Sequence, residues 1–120
     1  MAWLDAPTWV QDQLAGAFPA WLVTPESDNI RIEKFPAVIW SLSVANPDDR
    51  GIWTGNLTAT LLCDPDAAAA NLAALYDVIQ GWQTPGPINT VTLISSAAGR
   101  SQAGRNPHSY RLVYSLLWDH

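Results

Sequence analysis

The spacing of hydrophobic positions along this chain switches between two periods, and each switch falls at clear punctuation. Ala37 to Val44 sets Val38, Trp40, Leu42 and Val44 against Ala37, Ile39, Ser41 and Ser43, the period-two signature of a strand. Asn46-Pro47-Asp48-Asp49-Arg50-Gly51 is a polar turn of hairpin length, leading into a second strand, Ile52 to Leu62. Asp64-Pro65-Asp66 then opens a run, Ala67 to Trp82, in which Leu72, Leu75, Tyr76, Ile79 and Trp82 recur at helical spacing. Asp64 suits the N-cap, Pro65 the first helical position, and Asp66 adds negative charge at the positive end of the helix. Gln83-Thr84-Pro85-Gly86-Pro87 makes a stiff turn into a third strand, Ile88 to Ser96. The closing strand carries Tyr110, Leu112, Tyr114, Leu116 and Trp118 on one face, with Arg111, Val113, Ser115 and Leu117 on the other.

Upstream, Val10, Leu14, Ala17 and Phe18 repeat at helical intervals, and Thr8-Trp9-Val10-Gln11 has capping-box spacing, so residues 6–18 read as an amphipathic helix ended by Pro19. Residues 19–35 read as a connection that holds a short strand at Asn29 to Lys34. Ala97 to His108, with Gly99, Gly104 and Pro107, reads as a basic loop. The predicted fold is α+β, in the order α-β-β-α-β-β. One domain over residues 1–120 builds a four-stranded, mainly antiparallel sheet with two helices on one face.

Composition changes this picture in one respect. Charged residues are 14% of the 120-residue chain, against about 25% in an ordinary soluble domain, while 48% are hydrophobic and seven are Trp. Such a surface is short of charge, and it predicts apolar patches that serve an oligomeric or partner interface. On the sheet face left open by the helices, Ile39, Val113 and Leu117 are the candidate intersubunit residues. Uncovered strand edges add unpaired backbone groups that a neighbouring subunit can satisfy. A closed ring of identical subunits buries both. The net charge of −5 argues against a phosphate-backbone binder, whose affinity comes from Lys and Arg. No apolar stretch approaches a membrane span, so no membrane partner is expected. The N-terminus lacks the pattern of a secretory signal, and synthesis and folding in a cytoplasm are expected.

Motifs of catalysis are not found: there is no phosphate loop, nucleophile elbow or His-Glu-x-x-His, and His108 and His120 are the only histidines. The reading is therefore of no enzyme, no metal and no cofactor. The lone Cys63 lies in strand register and reads as a buried thiol. Arg100, Arg105 and His108 form a candidate loop facing either an acidic partner or a lumen through which DNA passes without sequence-specific binding. Asp48, Asp49 and Arg50 form a candidate contact at the hairpin turn.

Taken together, several segments resemble the tail terminator (tail completion) proteins of long-tailed bacteriophages. They are the short N-terminal helix, the Phe35-Pro36-Ala37-Val38-Ile39 entry to the first core strand, and the hairpin to a Thr-rich strand ending Leu61-Leu62-Cys63. The Asp64-Pro65 helix, the Ile88 strand and the closing Tyr110-Arg111-Leu112-Val113-Tyr114 strand complete the pattern. The resemblance implies a non-enzymatic virion protein at the tail–neck junction, assembled in the host cytoplasm. It implies a hexamer seated on the last ring of tail-tube protein, ending tube polymerisation and presenting a surface to a head-completion or neck protein. Two alternatives stand beside it: another head–tail connector or neck component, and a small α+β module that binds a ligand or peptide in a Trp-lined pocket.

Overall fold

A computed structural model describes residues 5–27, 32, 34–83, 88–99 and 108–119. The elements, in chain order, are α1 (Ala6–Ala17), β1 (Leu22–Pro25), β2 (Ala37–Ala45), β3 (Trp53–Cys63), α2 (Ala68–Gln80), β4 (Thr90–Gly99) and β5 (His108–Trp118). The sheet has five strands in the order β1-β2-β3-β5-β4, with β1 parallel to β2 and every other pair antiparallel. Among the described residues the fold is thus α+β with two helices and a mixed sheet of five strands, one more than the sequence pattern predicts.

The added strand is β1. It has four residues and ends in Pro25, which is compatible with a sheet only at an edge. The expected strand at Asn29 to Lys34 lies largely outside the described residues, and neither Ile32 nor Lys34 is in a strand. Strand β4 runs to Gly99 and β5 starts at His108, so the loop predicted from Ala97 is shorter at both ends.

The helix starts differ from expectation in their chemistry. Asp5, not Thr8, caps α1: its carboxylate accepts from the Thr8 backbone N–H at 3.4 Å, and the Thr8 hydroxyl donates to it at 3.1 Å. Gln11 is no capping residue. Its amide donates to the Val23 carbonyl at 3.0 Å and accepts from the Trp40 indole N–H at 2.7 Å, tying α1 to β1 and β2. At the second helix, Pro65–Ala67 forms a 3-10 turn before α2 begins at Ala68. Asp64 caps this turn through its backbone carbonyl, which accepts from Ala67 N–H at 3.1 Å, and its carboxylate makes no cap bond. Another 3-10 turn, Gly81–Gln83, follows α2 and carries Trp82 into the core.

The core lies on one side of the sheet. Val10 and Leu14 of α1 and Leu75 and Ile79 of α2 meet Val38, Trp40, Leu57, Leu61, Tyr114, Leu116 and Trp118 in one cluster. Those strand residues all belong to one alternation phase, as the register pairs Val38 with Leu61, Leu57 with Tyr114 and Trp53 with Trp118. Both helices therefore pack on the same face. Trp9 of α1 meets Trp82 edge to face, with ring centroids 5.0 Å apart, and joins the two helices.

None of the six described tryptophans is exposed: Trp40, Trp82 and Trp118 are buried, and Trp9, Trp21 and Trp53 pack against the core. Gly55 makes room for the fully buried Trp118. A Cβ at Gly55 would lie 2.8 Å from the Trp118 ring and 3.1 Å from Leu42 Cδ1, so the indole rests on bare backbone.

Candidate functional site

Among the described residues no helix or strand layer covers the opposite face of the sheet, although Ala37 at its Leu62 end is fully buried. Its rows follow from register: Ile39 pairs with Thr60 and Thr60 with Arg111, Ser41 with Thr58 and Thr58 with Val113, Ser43 with Asn56 and Asn56 with Ser115, Ala45 with Thr54 and Thr54 with Leu117. Thr90, Thr92 and Ser95 of β4 continue the rows beyond Leu117, Ser115 and Val113. Ile39, Val113 and Leu117 thus sit on the uncovered face, and all three are half-buried by their neighbours.

This face is not the greasy patch that the composition predicts. Val113 and Leu117 are four residues apart on one strand, about 14 Å, and hydroxyl side chains fill the rows between the aliphatic ones. Its distinguishing property is lack of charge: Arg111 is its one charged side chain among the described residues. The middle of a protein–protein contact is marked by depletion of charge more than by bulk apolarity, and hydroxyls can be desolvated at far less cost than carboxylates or ammonium groups. The helix layer differs in sign. Asp12 and Asp77 line a groove of about 470 Å³ between α1 and α2, with Gly16, Gly81 and Trp82, and neither helix contains Lys or Arg.

The hairpin turn uses its charged residues internally. Asp48 accepts from the backbone N–H groups of Arg50 at 2.8 Å and Ile52 at 3.1 Å, and pairs with the Arg50 guanidinium at 3.1 Å. The bonds from Ile52 and Arg50 hold its carboxyl below the ordinary value of 3.8. Gly51, at φ +80°, closes the turn. Asp49 is exposed and makes no side-chain hydrogen bond among the described residues, so of the three turn residues it is the one not engaged in building the turn.

Arg100 and Arg105 lie outside the described residues. His108 is the first residue of β5, opposite Cys63. Cys63 is free and buried, and burial pushes its thiol pKa up. No family model matches this chain, and no curated protein does. Among the described residues no group of three His, Cys, Asp or Glu side chains converges as metal ligands would, and no helix is long and apolar enough to cross a membrane. Of the six described tryptophans, Trp40, Trp82 and Trp118 are in the core and Trp9, Trp21 and Trp53 pack against it, and Trp82 also lines the groove between α1 and α2.

Sequence reasoning missed the second exposed feature of the sheet. Strand β4 is an edge, exposed from Thr92 to Ala98, with Leu93 and Ile94 adjacent to each other at 38% and 57% exposure. A register shift between Leu93 and Ser95 inserts Ile94 as an extra residue, a bulge that interrupts the alternation by which such a face is read.

Proposed function

We propose that this protein is a structural ring component of a bacteriophage virion, one that caps the tail tube, ends its polymerisation and joins the tail to the neck. The observation that carries the reading is the open, nearly uncharged sheet face opposite two packed helices. In a ring of identical subunits, that face of one copy lies on the helix layer of the next. The contact is heterologous and closes on itself, so no copy is left with a free face.

The charges agree with this arrangement. Arg111 stands on the open face, while Asp12 and Asp77 flank the groove on the helix side, so head-to-tail packing brings opposite signs together. The position at the end of the tail, rather than elsewhere in the neck, comes from the resemblance to tail terminator proteins. In that position the tube protein binds one rim of the ring and a neck protein the other, and DNA passes through without sequence-specific contact. The role requires no cofactor.

Light scattering and electron microscopy of the purified protein test the reading. A mass near six chains, or a multiple of six, with ring-shaped class averages supports it. A stable monomer at high concentration overturns it.

A further inference from the structure

The two edges of the sheet are finished differently. On the β1 side the strand is four residues long and ends in Pro25, and the Val23 carbonyl is occupied by the Gln11 side chain. At the start of β4 the Val91 N–H is likewise taken, by the side-chain amide oxygen of Gln83 at 2.9 Å. Beyond that point, among the described residues, no side-chain hydrogen bond reaches the β4 edge. Thr90–Gly99 contains no charged residue and no proline, the usual means by which an edge strand is made unattractive to another strand. The bulge at Ile94 leaves Ser95–Gly99 as a regular run paired to Val113–Ser109 on its inner side. Alternate residues of that run direct N–H and C=O groups away from β5.

We propose that the β4 edge pairs with the β4 edge of a second copy of this chain, antiparallel, about a two-fold axis. The second copy is favoured on two grounds. Continuation of the sheet from β4 to β1 of a neighbour is obstructed, because β1 is short and guarded, so a copy can offer only its own β4. The chain carries a net charge of −5, and two copies approach most readily where neither presents a carboxylate. β4 meets that condition along its whole length, with the cationic Arg111 beside Ala97 as the nearest charge in register. Pairing also shields Leu93 and Ile94, the two large apolar side chains exposed on this strand. The contact stands whether or not the open face builds a ring: alone it gives a dimer, and with the ring it joins two rings back to back in the purified protein, before a tube or neck protein takes that rim.

A two-fold axis has a signature that a ring contact lacks, because a residue close to it faces its own copy. In a Cys63→Ala background, single cysteines are placed at Ser95, Ser96, Ala97 and Ala98 and oxidised. A covalent dimer in high yield from at least one of the four is expected, since paired strands bring Cα atoms within disulfide reach. Ile94→Lys, at an exposed position, is expected to halve the mass measured by light scattering while leaving the circular dichroism unchanged. Absence of self-crosslinking at all four positions overturns the proposal, as does an Ile94→Lys protein of unaltered mass. Val113→Asp separates this from the ring, because it acts on the open face and leaves the edge pair intact.

Discussion

The two faces of the sheet are built from the same strands, yet they solve different problems. On β5, Leu112, Tyr114, Leu116 and Trp118 are all buried under the helices, while Arg111, Val113, Ser115 and Leu117 between them are half-buried or exposed. On β3, Leu57, Ala59 and Leu61 are fully buried, while Thr54, Thr58 and Thr60 face outward. One face supplies folding energy through apolar area removed from water, and the other keeps the sheet nearly free of charge without making it greasy. On the proposed reading, stability and association fall to alternate residues of single strands. Neighbouring substitutions should separate them.

The largest effect is expected on the covered face. Leu57→Ala removes a side chain with no exposure and should cost about 2–5 kcal/mol in denaturant unfolding. Thr58→Ala, one residue away and facing outward, should change stability by no more than about 0.5 kcal/mol. Gly55→Ala comes next, because its Cβ would press on the buried Trp118 ring at 2.8 Å. A cost of about 1–3 kcal/mol is expected, again read from the unfolding midpoint.

A smaller difference separates wild type from Tyr114→Phe. The Tyr114 hydroxyl is buried with no hydrogen-bond partner among the described residues, and burial first, with the Tyr76 phenol second, pushes its pKa up to about 12. The folded state therefore holds this proton where the unfolded chain releases it. The stabilisation is fully present below pH 10 and declines as pH rises towards 12, by about 1.4 kcal/mol per pH unit. Tyr114→Phe should flatten that decline and leave neutral-pH stability unchanged or higher, since no bond is lost. The smallest effect belongs to Asp48. Its carboxyl is held below 3.8 by the turn, so its contribution exists above that value and vanishes as pH falls through the folded pKa. Stability curves of wild type and Asp48→Ala should converge in acid.

Much of this fold is legible in the residue pattern, and the exceptions have physical causes. Strands β2, β3 and β5 announce themselves because one face is buried and the period is two, and α2 does so through Leu75 and Ile79. β1 carries no such signal: four residues hold too little alternation, and the strand is secured by a parallel partner and by the Gln11 amide from another element. Gln11 itself reads as a capping residue because local spacing cannot reveal a contact 12 residues away. Asp64 likewise has N-cap spacing, but a 3-10 turn intervenes and the backbone supplies the bond.

The tryptophans mislead for a different reason. Seven indoles in a charge-poor chain suggest a sticky surface, yet the six described ones are buried or packed against the core, Trp118 over the bare backbone of Gly55. The lack of charge is legible in composition; its location is not. It becomes visible only when register sets Thr54, Thr58, Val113 and Leu117 side by side on one face. The open β4 edge is hidden further, because the bulge at Ile94 breaks the alternation and edge position is a property of sheet order.

The central claim is that the open face, and not the core, carries association in a ring. Val113→Asp places a carboxylate in the middle of that face, between Thr58 and Ser95. Light scattering and circular dichroism on this variant, at the concentration where wild type is assembled, test the claim most directly. The expected result is an unchanged spectrum, with the mass reduced to two chains at most. A folded Val113→Asp protein that keeps the wild-type mass contradicts it.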